Sequence, residues 1–305
     1  MATIKELLQR PNVLSSGHRM CTGCTAPIIV KLISLASKYP LVVACATGCL
    51  EVATSIYPFT AWKCSFIHNA FENCAATLSG VETAYRALKK KGKVKDDIKF
   101  IGFGGDGGTY DIGLQSLSGA MERGHDILMV CYDNEAYMNT GVQRSSATPP
   151  GAATTTSPAG KVIPGKQGYR KDLTGILAAH RIPYVAQASP SHWQDLVKKV
   201  EKALEIKGPK FINVLMPCTL GWGFVQDQGI SIAKLAVDTC FWPLYEVENG
   251  KWTVTYKPQE KKSIAEFVEK QGRFSHLKKE KNRYIVDEMQ KQVDKDWADL
   301  LKRAE

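Results

Sequence analysis

The residues best suited to chemistry lie in two short stretches. One is Gly104-Gly105-Asp106-Gly107-Gly108-Thr109-Tyr110-Asp111, and the other is Tyr132-Asp133-Asn134-Glu135-Ala136-Tyr137-Met138-Asn139-Thr140-Gly141. A turn of small residues lets backbone N–H groups approach a phosphate, and a helix leaving that turn adds the positive end of its dipole. Asp106 and Asn134 add side-chain oxygens. With a backbone carbonyl and phosphate oxygens they suit Mg2+, a hard cation that takes few protein ligands. The two stretches together read as a site for a diphosphate held through a metal. A glycine turn alone fits tight packing or another phosphate ligand as well; the acid inside the turn and the asparagine after the next strand narrow the reading.

A second set of candidates is sulfur. The chain has nine cysteines, an odd number, and its first residues show no charged head, apolar run and small-residue cleavage site. A cytoplasmic protein is expected, and with it metal ligation rather than a disulfide framework. Cys21-x-x-Cys24 precedes a helical run, Cys49 follows a strand-like run, and Cys218 follows another. Four thiolates at the ends of elements can hold an iron–sulfur cluster or Zn2+, and spacing does not choose between them. A redox dithiol is a third reading of the Cys-x-x-Cys, although no strong strand precedes it. Cys45, Cys64, Cys74, Cys131 and Cys240 sit within apolar runs and are expected to be inert core thiols.

These residues need a frame. Apolar runs at 41–46, 98–103, 127–132, 184–188 and 211–216 read as buried strands, and helical patterns at 26–37, 112–123, 173–180 and 192–206 lie between them. Such alternation predicts an α/β domain with a parallel sheet flanked by helices. If the strands at 98–103 and 127–132 are parallel neighbours, Asp106 and Asn134 reach one sheet edge. His68, Glu72 and Asn73 are polar residues in an apolar neighbourhood, either lining a cofactor pocket or capping and bonding within the core. The Ser/Thr/Pro/Gly-rich segment 141–165 is a long loop that leaves the second stretch directly, and it is expected to be functional. Its Arg144 would meet a substrate carboxylate or a neighbouring subunit. Residues 1–236 form the expected α/β domain. Residues 237–305 change character to an aromatic β-like arm and a helical tail at 287–303, which either wrap a partner subunit or pack on their own domain.

With 305 residues and 44% apolar content the chain can build a full core. The formal charge of +10 comes from scattered or helical-surface bases such as Lys89-Lys90-Lys91, without a recognition motif, so nucleic acid is not expected. No run is long and apolar enough to span a membrane. Some of the bases could steer an acidic protein, of which small electron carriers are one class.

Gly105-Asp106-Gly107 followed by Asn134 resembles the signature of thiamine diphosphate enzymes. Taken with Cys21-x-x-Cys24, Ala46-Thr47-Gly48-Cys49-Leu50-Glu51-Val52, Phe71-Glu72-Asn73, Pro217-Cys218 and Trp242-Pro243-Leu244-Tyr245, the whole set resembles the β subunits of 2-oxoacid:ferredoxin oxidoreductases, most closely the pyruvate type. The resemblance implies a thiamine diphosphate-binding fold. It implies that Cys21, Cys24, Cys49 and Cys218 bind a [4Fe–4S] cluster, with Cys49 beside the thiamine. It further implies that Asp106, Asn134 and the carbonyl of Ala136 hold Mg2+, that Gly105 and Gly107 approach the diphosphate, and that Asn139 lies beside the reactive carbon and the substrate. The activity implied is oxidative decarboxylation of a 2-oxoacid with coenzyme A, with electrons leaving to ferredoxin. Other subunits would complete the site, since thiamine enzymes need a second domain. Thr25 and Ala26 depart from the Gly and following residue of many relatives, which leaves the substrate open: pyruvate, a branched-chain or aryl 2-oxoacid, 2-oxoglutarate or oxalate. Readings outside the family are a non-redox thiamine lyase and a zinc-stapled binding module.

Overall fold

Runs of Val, Ile, Leu and Phe bounded by turn residues form the strands of the computed structural model, which describes residues 3–305. The strands are β1 (Leu41–Ala46), β2 (Ser65–Asn69), β3 (Lys99–Gly105), β4 (Leu128–Asp133), β5 (Tyr184–Ala188), β6 (Lys210–Leu215), β7 (Leu244–Glu248) and β8 (Lys251–Tyr256). They make one sheet in the order β2-β1-β3-β4-β6-β5-β7-β8. The first six are parallel, and β7 and β8 are antiparallel to their neighbours. Every residue of β4, β5 and β6 is buried, as parallel strands covered on both faces require.

Alternate strand residues feed two cores. Val43, Cys45, Ile101, Phe103, Val130 and Ile212 face helices Ala26–Ala36 and Trp193–Glu205. Ala44, Ala46, Phe100, Met129, Cys131 and Phe211 face helices Cys74–Lys90, Leu114–Glu122 and Leu173–Ala179. The period of two along each strand decides which core a side chain joins. A third cluster packs Trp222, Trp242 and Phe274 among helices Gly229–Asp238, Ile264–Glu269 and Tyr284–Arg303. Among the described residues no helix is long and apolar enough to cross a membrane.

Three features depart from the sequence reading. β2 is an additional parallel strand whose polar, half-exposed pattern hides it from an apolar-run search. Ahead of the helix expected over 112–123, which is seen at Leu114–Glu122, the glycine turn forms a single π-type turn, Gly107–Asp111, that the sequence does not announce. The aromatic arm is the β7–β8 hairpin, and β7 pairs with β5 to extend the sheet of the α/β domain. The boundary drawn near 236 falls inside helix Gly229–Asp238, and the terminal helix buries Met289, Val293 and Leu300 on its own chain.

Candidate active site

Because β1, β3, β4 and β6 are parallel and adjacent, their carboxyl ends lie side by side on one edge. From those ends come Cys49, Asp106, Asn134 and Cys218 in turn. Ligand sites of open α/β sheets form along this edge, where loops diverge from strand ends. Asp106 is fully buried and accepts a hydrogen bond from Ser145 Oγ at 2.5 Å. Burial holds its carboxyl well above the usual carboxylate range, and the charge of Asp133 adds to the effect, while Ser145 and Arg170 oppose it. The Asn134 carboxamide oxygen stands 2.8 Å from Asp106 Oδ1 and 2.7 Å from the carbonyl oxygen of Ala136. Three oxygens at such separations repel unless the amide turns over to donate or a cation sits between them. With Mg–O distances of 2.0–2.1 Å, adjacent corners of an octahedron are about 2.9 Å apart, close to the spacing of these oxygens.

Glu135, between the two candidate ligands, adopts φ 66°, a left-handed conformation that costs a non-glycine residue about 1–3 kcal/mol. Its surroundings fix it. Arg170 donates to Glu135 Oε1 at 2.7 Å and Arg273 to Glu135 Oε2 at 2.6 Å, and Thr148 Oγ1 donates to its carbonyl at 2.6 Å. Arg170 also pairs with Asp133, whose Oδ1 accepts the Glu135 N–H at 3.0 Å. Trp222 Nε1 donates to the Asn134 carbonyl at 2.8 Å, and the Arg273 guanidinium stacks 4.0 Å above the Trp222 ring. None of these supports was singled out from the sequence. Ser145 and Thr148 lie in the long loop, which reaches back to Asp106 and Glu135, while Arg144 in the same loop is exposed.

All nine cysteines are free thiols. Cys21, Cys24, Cys49 and Cys218 come near enough to act on one another electrically. Burial pushes the Cys24 and Cys49 thiols up to about 12, with neighbouring cysteines adding, and raises Cys218 as well. Two contacts hold the Cys-x-x-Cys loop against the Cys218 loop: Thr25 Oγ1 donates to the Pro217 carbonyl at 3.1 Å, and Thr219 Oγ1 to the Thr22 carbonyl at 3.5 Å. Gly23, at φ +75°, packs so closely that a Cβ would lie 2.1 Å from the Gln226 carbonyl oxygen. Among the described residues no three His, Cys, Asp or Glu side chains are gathered as for a single metal ion. Cys45, Cys74, Cys131 and Cys240 are buried core thiols as expected, and Cys64 is partly exposed.

A narrow cleft of about 80 Å³ opens at this edge, lined by Cys49, Gly105, Asp106, Gly107, Asn134 and Asn139 among others. It is smaller than the roughly 300–1,000 Å³ in which proteins enclose ligands of cofactor size. Asn139 is exposed at the cleft mouth, on a tight loop closed by the paired Tyr137 and Gln143 backbones. A Cβ on Gly107 would lie 2.2 Å from the Tyr137 ring, so glycine there admits Tyr137 as well as any ligand. His68, Glu72 and Asn73 do not line the cleft; Phe71 does. His68 pairs with Glu51 at 2.9 Å, and Glu72 accepts the Phe71 N–H. A larger cavity of about 500 Å³ lies behind Arg170, toward the hairpin and the terminal helix, away from the candidate ligands.

Residues 46–214 match the family described as thiamine pyrophosphate enzyme, C-terminal TPP binding domain. The chain is 56% identical over 294 residues to the pyruvate synthase subunit PorB of Thermotoga maritima, covering 94% of this chain and 91% of that one. It is 54% identical to the PorB of Methanocaldococcus jannaschii, covering 93% and 95%. The ketoisovalerate oxidoreductase subunit VorB of Pyrococcus abyssi is 43% identical, covering 95% and 93%. A 2-oxoglutarate:ferredoxin oxidoreductase from Magnetococcus marinus shares the fold, at a TM-score of 0.55 and 19% identity over 71% of this chain and 72% of that one. A thiamine diphosphate-type sheet and a relative this similar over nearly its whole length lead to one conclusion: the chain belongs to the thiamine pyrophosphate enzymes and, within them, to the β subunits of the 2-oxoacid:ferredoxin oxidoreductase family.

Proposed function

We propose that this chain is the thiamine diphosphate-binding subunit of a pyruvate:ferredoxin oxidoreductase, which converts pyruvate and coenzyme A reversibly to acetyl-CoA and CO2. Its electrons leave through a [4Fe–4S] cluster to ferredoxin. The observation that carries the reading is that Cys49 lines the same cleft as Asp106 and Asn134 while lying within electrical reach of Cys21, Cys24 and Cys218. In this reading the diphosphate site and the four-thiol site meet at Cys49. Pyruvate is favoured as the substrate by identities of 56% and 54% to two pyruvate synthase subunits, against 43% to the ketoisovalerate subunit.

Asp106, Asn134 and the Ala136 carbonyl would hold Mg2+, since Asp106 Oδ1 and the Ala136 carbonyl both lie within 2.8 Å of the Asn134 carboxamide. The four cysteines would hold the cluster. Four thiolates are the donor set of a [4Fe–4S] cluster, and a redox role favours it over Zn2+. Thiamine diphosphate supplies the electron sink for loss of CO2 from a 2-oxoacid. Gly105 and Gly107 admit the diphosphate, and Asn139 at the mouth faces the substrate. The cleft encloses too little for the whole cofactor, and exposed apolar Phe71 and Ile112 line it. A partner subunit would cover them and supply the other half of the site.

Anaerobic EPR of the natively purified complex, frozen after pyruvate is added without coenzyme A, tests the reading. A reduced-cluster signal together with an organic radical is expected. A cluster that dithionite reduces and pyruvate does not would overturn the substrate, and absence of iron and acid-labile sulfide would overturn the cluster.

A further inference from the structure

Between the candidate diphosphate turn and the Cys49 loop stands a buried phenol that the reading so far leaves unused. Tyr132, the fifth residue of β4, is 2% exposed, and its hydroxyl has no hydrogen-bond partner. Two glycines make room for it. A Cβ on Gly105 would lie 3.2 Å from the Tyr132 ring, and one on Gly48 would lie 2.8 Å from the hydroxyl oxygen. Gly48 has an extended backbone, φ 176°, open to any residue, so its missing side chain serves the space and not the conformation. Leaving a buried hydroxyl unpaired costs about 1–3 kcal/mol, so such a group in a ligand cleft calls for an absent partner.

Which partner is decided by what surrounds the hydroxyl. The hydroxyl lies against Gly48, one residue from Cys49, and has no acceptor for its proton; the other thiols near it are Cys45 and Cys131. Cys45 and Cys131 are fully buried strand residues, whereas Cys49 and Tyr132 line the same cleft. Only Cys49 becomes a charged acceptor when it ligates iron. We propose that Tyr132 is a positioning residue whose hydroxyl donates a hydrogen bond to the Cys49 sulfur of the cluster and thereby raises the cluster's reduction potential. Hydrogen bonds to ligating sulfurs stabilise the more negative, reduced cluster. The inference rests on the reading that Cys49 ligates the cluster.

The test is an EPR-monitored redox titration of the complex carrying Tyr132→Phe, with iron and sulfide measured in parallel. The cluster is expected to remain and its one-electron reduction constant to fall about tenfold, equivalent to a potential lower by about 59 mV. Gly48→Ala, which would crowd the hydroxyl off the sulfur, should lower the potential in the tyrosine background and leave it unmoved in the phenylalanine background. Unchanged potentials in a complex that keeps its cluster would overturn the proposal, as would a weaker affinity for thiamine diphosphate without a potential change. Loss of the cluster from a folded Tyr132→Phe complex would also overturn it, because it would make the phenol an assembly residue. Wild-type complex without iron would instead sink the underlying cluster reading.

Discussion

Replacing Arg273 tests whether the C-terminal part of the chain holds the candidate metal loop in place. Its guanidinium side chain is 3% exposed, donates to Glu135 at 2.6 Å and to Gln271 Oε1 at 2.8 Å, and stacks on Trp222. Arg273→Ala leaves Glu135 with Arg170 alone. Breaking a buried ion pair costs about 3–5 kcal/mol, and the remaining arginine argues for the lower end, about 3 kcal/mol. At about 2 °C per kcal/mol for a chain of this size, the melting temperature should fall by about 6 °C. Arg273→Met, which keeps the apolar stem, should lose nearly as much, because the charge and not the packing is at stake. The double variant Arg273→Met with Glu135→Gln should lose at least 1 kcal/mol less than the two single losses combined, as directly coupled residues do. Glu135 lies between Asn134 and Ala136, so the same substitutions should weaken Mg2+-dependent binding of thiamine diphosphate about tenfold. Melting by circular dichroism and cofactor titration read both. A melt within 2 °C of wild type with unaltered affinity would refute the reasoning.

Asp106→Asn removes the only carboxyl of the candidate ligand trio, and Mg2+-dependent thiamine diphosphate affinity, followed by titration of the apo-complex, should drop at least tenfold. Gly23→Ala forces a side chain into a left-handed position and against the Gln226 carbonyl; iron and sulfide per complex should fall below half of wild type. Thr25→Val keeps the shape but loses the bond to Pro217, a loss of about 1 kcal/mol, and should speed cluster loss in a chelator challenge. Burial alone would raise the Glu246 pKa, but hydrogen bonds from Lys202 and Tyr184, with the charge of Lys202, hold it below its ordinary value. A depressed carboxyl stabilises the fold above its unfolded pKa of about 4.3 and loses that contribution as pH falls through the folded value. Glu246→Gln should therefore flatten the decline in stability below about pH 4.3, measured by urea unfolding across pH.

What the sequence disclosed was whatever repeats locally. The strands from 41 to 216 other than β2 carry their own apolar runs, the glycine turn its own composition, and Cys21-x-x-Cys24 its own spacing, so these could be read within windows of ten residues. The hairpin defied that reading because an aromatic, half-exposed pair of strands looks the same whether it extends a sheet or leaves it; only β5, some 60 residues earlier, decides. The supports of the site are hidden for the same reason. Ser145 reaches Asp106 across 39 residues, Trp222 reaches Asn134 across 88, and Arg273 reaches Glu135 across 138. An arginine in a polar tail has no local mark of being buried. The one local signal was Glu135 itself: an acid between two candidate ligands, next to a strand end, must find cations or remain exposed. Glu135 is fully buried, and it is met by the partly exposed Arg170 and the buried Arg273, so the tail that supplies Arg273 belongs to the site as much as the glycine turn does.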